Sequence, residues 1–180
     1  MVILIFIVNF YAALIPSFSD ADDHAAQIYL NKYKDIAVIE MYRTGVPASI
    51  KLAQGMHESS FGTSSLATRA NNHFGIKCKA YWKGSTYYHK DDDFKNGKLI
   101  KSCFRSYNSE IESFVDHSNF LSERSYYKHL FNLDRTDYKA WAKGLKAAGY
   151  ATDKRYAEKI ISIIEKYNLH VFDHSKNPLD

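Results

Sequence analysis

A single carboxylate, Glu58, closes the otherwise core-like run ASIKLAQGMHES. Ile50 and Ala53, and Leu52 and Met56, recur at helical spacing, Pro47 suits the first turn, and Gly62 suits a stop. The acid therefore falls in the last turn of a helix. There it meets the negative end of the helix dipole, and Met56 and Phe61 add desolvation, so both effects raise its pKa. A general acid working near neutral pH needs this, because it must still hold its proton when a leaving group requires one. Position alone favours the plainer reading, a surface glutamate at a helix end.

Other chemistries find less support. A zinc-protease reading of His57-Glu58 needs a second histidine four residues after the first, and Phe61 stands there. His73 and His89 are scattered, so no metal is expected. The run Asp91-Asp92-Asp93 fits a calcium loop poorly, since Lys95 and Asn96 fall where an oxygen ligand and the glycine belong. It reads as a solvated patch, or as the source of one base to a water if it faces a cleft. No phosphate-binding glycine loop or nucleophile elbow occurs, and nothing beside Cys78 or Cys103 argues for an activated thiol. No cofactor is expected.

The elements that must hold Glu58 are mostly helical. Apolar residues from Ala25 to Met41 recur at helical spacing, in one helix or two, until Thr44 and Gly45. From Tyr81 to Tyr107 the chain turns rich in Tyr, Thr, Lys and Ser, and Asn96-Gly97 signals a hairpin turn. Ser109 to Glu112 is a capping box opening a helix that carries Phe114 and Ser118 on one face. Two more helices follow, one through Trp141 and Leu145 to Gly149, the other through Tyr156, Ile160 and Ile164. The expected picture is a helical body with a β excursion between its halves and a frayed tail.

With 180 residues and 46% hydrophobic character, the chain suits one domain with a proper core. Its 14 Tyr and 11 Phe suit a groove for flat amphipathic ligands. The net charge of +4 is spread along the chain without a basic block, which argues against nucleic acid and tolerates a polyanionic substrate. The apolar run over 1–19 resembles an export signal lacking the basic start, with an uncleaved membrane anchor as the alternative. In an oxidising compartment Cys78 and Cys103 could pair, closing a loop worth about 3.5 kcal/mol on the chain-entropy model, or they are two separate thiols.

Four ordered segments, ASIKLAQGMHESSFGTSSLA, NNHFGIKC, FRSYNSEIESFVDHSNFL and KGLKAAGYATDKRYAEKIISIIEKYNL, resemble the bacterial N-acetylglucosaminidases of glycoside hydrolase family 73. The resemblance covers roughly 25–172. It implies an α+β, lysozyme-like domain over 22–173, mainly helical, with the hairpin lobe forming one wall of a glycan cleft, and a tail at 174–180. It implies a monomeric, exported hydrolase acting on peptidoglycan glycan strands at the β-1,4 bond after N-acetylglucosamine. Glu58 matches the family's acid and Tyr150 its tyrosine, which positions the water or the acetamido group or stabilises the transition state. Phe61, Asn72, Phe74 and Tyr88 are the expected sugar contacts. Where many members carry a second glutamate on the hairpin, this chain has Asp93, with Asp91 and Asp92 as alternatives and the substrate's own N-acetyl oxygen as a further one. A lytic transglycosylase or muramidase on the same scaffold, and a wall-binding module without turnover, are the competing readings.

Overall fold

A computed structural model of the chain describes residues 20–95 and 98–180, and for 20, 91–95 and 98–100 the backbone alone. The apolar run at 1–19, the Asn96-Gly97 turn and the side chains of Asp91, Asp92 and Asp93 lie outside the described residues. The order is α1 (Asp20–Thr44), α2 (Ala48–Ser59), α3 (Ser65–Ala70), β1 (Thr86–Lys95), β2 (Lys98–Arg105), α4 (Glu110–Glu123), a 3-10 helix (Ser125–Asn132), α5 (Tyr138–Ala147), α6 (Tyr156–Lys166) and a closing 3-10 turn (Leu169–His174). α1 is one continuous helix because no glycine or proline interrupts it. Among the described residues no helix is long and apolar enough to cross a membrane.

α2 is the axis of the body. It packs against α1, α5, α6 and the closing turn, and 48–56 are buried together with Ser59. Leu52, Met56, Phe114, Leu121, Trp141, Ile160 and Ile164 meet in a single core cluster around it. Pro47 precedes the helix without a side-chain cap, so its first N–H groups need partners from elsewhere. The chain's last segment supplies one: the Ser49 N–H donates to Asp173 Oδ1 at 2.9 Å and its hydroxyl to Oδ2 at 2.6 Å. Asp173 is fully buried, and just beyond it the Ser175 carbonyl accepts from Tyr42 at 3.0 Å, so the tail is held at its start.

The lobe is an antiparallel ribbon running in register from Thr86↔Arg105 to Lys95↔Lys98, with an irregularity between Lys90 and Phe94. Its root is fixed in three ways. Cys78 and Cys103 form a disulfide with Cα atoms 5.3 Å apart. Arg105 Nη1 donates to both carboxylate oxygens of Asp116 on α4 at 2.8 Å, and Tyr107 donates to the same carboxylate at 2.6 Å. The capping box holds α4 beside it, with Ser109 Oγ accepting from Glu112 N–H and the Glu112 carboxylate accepting from Asn108 N–H.

Candidate active site

A cleft of about 790 Å³ separates the body from the lobe. Glu58, Tyr150 and Tyr156 line one side, Phe74 and Ile76 lie beside them, and His89, Lys90 and Phe104 come from the lobe. The end of α2 delivers the acid. Ser60 and Phe61, immediately after it, take φ values of 50° and 56°, left-handed backbone that costs on the order of 1 kcal/mol or more for residues with side chains. The turn is held by Phe61 N–H on Met56 O at 2.9 Å and Gly62 N–H on Ser59 Oγ at 2.7 Å.

Burial pushes the Glu58 carboxyl up to about 7, against the hydrogen bond from Tyr156 and the Lys159 ammonium, which both pull it down. Tyr156 is 1% exposed, and its oxygen accepts from Gln54 Nε2 at 2.9 Å, which leaves the phenol proton for the carboxylate. Gln54, Tyr156 and Glu58 thus form a wire that holds the acid in place. Lys159 is drawn aside by Asp153 at 2.5 Å, so the acid has no direct cation partner in that pair. Its proton is retained to near neutrality.

Tyr150 reaches the same space through the end of α5. Gly149, at φ 81°, reverses the chain, and the Tyr150 N–H returns to Leu145 O at 3.0 Å. Lys146 braces the following loop by donating to the Ala151 and Thr152 carbonyls at 2.9 and 3.3 Å. The Tyr150 ring stacks on Tyr156 with centroids 5.5 Å apart, and burial, then Tyr156 and Glu58, hold its hydroxyl well above its usual pKa. It remains a neutral phenol.

The other expected sugar contacts divide. Phe74 lines the cleft, although it is only 4% exposed, with one face of its ring stacked on His117. Asn72 does not reach the cleft, because its amide is 1% exposed and spent on backbone. Its Nδ2 donates to the Ile76 and Arg105 carbonyls at 3.0 and 2.8 Å, and its Oδ1 accepts from Phe74 and Ile76 N–H at 3.3 and 3.1 Å. Tyr88, paired with Cys103, is 60% exposed and stands outside the cleft lining, to which the ribbon contributes His89, Lys90 and Phe104. Phe61 is turned by its left-handed backbone into a second groove of about 580 Å³ bordered by α1 and α6. Among the described residues no group of three or more His, Cys, Asp and Glu gathers to hold a metal.

Sequence reasoning missed Tyr156, Gln54, Lys51 and His117. Tyr156 is hidden in the apolar stripe of α6, where only the hydroxyl distinguishes it from a packing residue. Lys51 is the visible signal, a charge set among Ile50, Leu52 and Ala53 in a helix that is otherwise core.

A family model described as mannosyl-glycoprotein endo-beta-N-acetylglucosaminidase matches residues 34–169. The exo-glucosaminidase LytG of Bacillus subtilis is 37% identical over 152 residues, 82% of this chain and 53% of that protein. The peptidoglycan hydrolase FlgJ of Salmonella typhimurium is 31% identical over 157 residues, 84% of this chain and 48% of that protein. The chain thus spans about half the length of these curated relatives. Among solved structures, the catalytic domain of the autolysin Auto from Listeria monocytogenes superposes with a TM-score of 0.72 at 27% identity, covering 88% of this chain and 99% of that one. A C-terminally truncated glycoside hydrolase domain of Salmonella typhimurium FlgJ gives 0.65 at 29%, covering 79% and 97%. With an acid-bearing cleft between a helical body and a β lobe, and this extent of match, the chain belongs to the glucosaminidase family, glycoside hydrolase family 73.

Proposed function

We propose that this chain is a peptidoglycan hydrolase that cleaves the β-1,4 bond between N-acetylglucosamine and N-acetylmuramic acid, with Glu58 as general acid. The observation that carries the reading is a carboxyl pushed up to about 7 by burial at the wall of a cleft large enough for several sugar rings. Glu58 protonates the glycosidic oxygen as the bond to the anomeric carbon breaks. Tyr150 stands beside the developing oxocarbenium centre, and Asp93 is the second carboxylate, with Asp91, Asp92 and the substrate acetamido oxygen as the other sources of a nucleophile or base. Lys79 and Lys90 at the rim suit the carboxylates that peptidoglycan carries. Such a substrate places the enzyme in the cell envelope, reached by export.

The test is digestion of purified peptidoglycan with mass spectrometry of the products. Reducing N-acetylglucosamine ends are expected from the wild type, long fragments marking endo and single units exo action. The variant Glu58→Gln is expected to lose on the order of 1,000-fold or more in kcat while still binding the wall. Anhydro-muramic ends would replace this reading with a lytic transglycosylase, and full activity of Glu58→Gln would remove the acid assignment.

A further inference from the structure

Behind Tyr150 lies a buried polar column that the acid chemistry does not use. Lys51, in the middle of α2, is fully buried. Its Nζ lies 3.1 Å from the Phe114 carbonyl oxygen and 3.2 Å from His117 Nδ1, over the rings of Phe74 and Phe114 at 5.4 and 6.0 Å. His117, also fully buried, stacks on Phe74 with centroids 3.9 Å apart and planes within 5°. Its other nitrogen, Nε2, stands 3.1 Å from the Tyr150 hydroxyl. The three groups form one path from the core to the cleft.

As a stability device the arrangement is poor. A lysine in a helical core forfeits its hydration, and a leucine or methionine of similar volume would fill the space without that cost. The carboxylate whose charge it feels, Glu40 on α1, is engaged by Arg43 at 2.8 and 2.6 Å. Those two are the charged groups acting on Lys51 from the elements around it. What the column does supply is direction.

An ammonium has three donors and no acceptor, so the nitrogen facing it, His117 Nδ1, must accept. Burial and the neighbouring Lys51 hold His117 well below its usual pKa, so the ring is neutral. A neutral imidazole that accepts at Nδ1 carries its proton on Nε2, which then donates to the Tyr150 oxygen. A phenol has one proton. With its oxygen accepting from His117, that proton is left for the open side, where the cleft lies.

We infer that Lys51 and His117 are positioning residues that fix the Tyr150 hydroxyl as a hydrogen-bond donor aimed at the sugar and bar it from serving as a base. The inference rests on the glycosidase reading of the cleft. The matching acceptor on N-acetylglucosamine is the acetamido carbonyl oxygen, the strongest neutral acceptor beside the anomeric carbon. Orientation of that group decides whether its oxygen lies near the reacting carbon, so a misdirected Tyr150 lowers turnover more than binding.

The direct test is long-range proton–nitrogen NMR of the histidine rings at about pH 6, where Lys51, pushed down to about 7 by burial, is mostly an ammonium. His117, assigned by loss of its signals in His117→Gln, is expected protonated on Nε2 alone, and in Lys51→Met the Nδ1-protonated form is expected to appear. On solubilised peptidoglycan, Lys51→Met is expected to lower kcat about 10- to 100-fold with KM changed less than about 3-fold. His117→Gln, whose amide can still donate to Tyr150, is expected to retain at least about 10-fold more activity than His117→Phe. A wild-type His117 protonated on Nδ1, a Lys51→Met enzyme with wild-type kcat, or equal losses in the two His117 variants would overturn the inference. Should Lys51→Met not fold, the wild-type tautomer and the His117 pair decide it. A wild type inert on peptidoglycan would remove the glycosidase reading while leaving the tautomer to be read.

Discussion

Glu58 holds its proton because burial outweighs two groups that favour its charged form, so the balance can be moved in a known direction. Tyr156 donates to the carboxylate and lowers its pKa, and removing that donor must raise it. For an enzyme whose acid must be protonated, activity falls as pH rises through that pKa, so the alkaline limb of kcat/KM is expected near 7 in the wild type. In Tyr156→Phe the limb should move upward by roughly half a pH unit or more, with kcat at pH 6 down by about 10-fold from lost orientation. A limb that stays put would separate Tyr156 from the acid. Part of this chemistry is legible in the sequence, since a lone acid ending an apolar helix is visible as such. Its partners are not, because Gln54 and Tyr156 occupy positions on apolar stripes and become polar partners only when α2 and α6 pack together.

At the scale of elements, the cleft depends on how the lobe is tied to the body, and Asn72 is central to that tie. One amide satisfies four backbone groups in the two segments, 72–76 and Arg105, that enter and leave the lobe. Asn72→Ala leaves buried donors and acceptors unpaired and is expected to cost about 3 kcal/mol, read by chemical denaturation. Activity should fall with it while the body helices keep their circular dichroism. Asn72→Asp, which cannot donate to the two carbonyls, should be no better. The sequence shows the NNHFGIK segment and the β excursion, and periodicity finds every long helix. It does not show that the asparagine faces backbone, since buried and cleft-lining amides look alike until the chain is folded around them. Nor does it reveal the role of Asp173, a residue of the closing 3-10 turn that finishes the start of α2 from 124 residues away.

The whole molecule is a body with a stapled lobe. The Cys78–Cys103 bridge spans 25 residues and ties the segment entering the lobe to its second strand. Cys78→Ser with Cys103→Ser is expected to lower stability by about 3.5 kcal/mol on the chain-entropy model, a fall in Tm of about 10 °C for a domain of this size. Unchanged melting would mean that the Arg105–Asp116 and Asn72 contacts suffice alone. The body itself is joined more tightly still. At Gly55, three residues before the acid, a side chain would run into the Tyr29 hydroxyl, so α1 and α2 meet backbone against phenol. Where helices usually mesh through side chains from both partners, the α2 half of this joint has no rotamer to adjust. The height of Glu58 over the cleft is set by bond lengths and one aromatic ring, a hard stop in the part of the molecule where the proton must meet its oxygen.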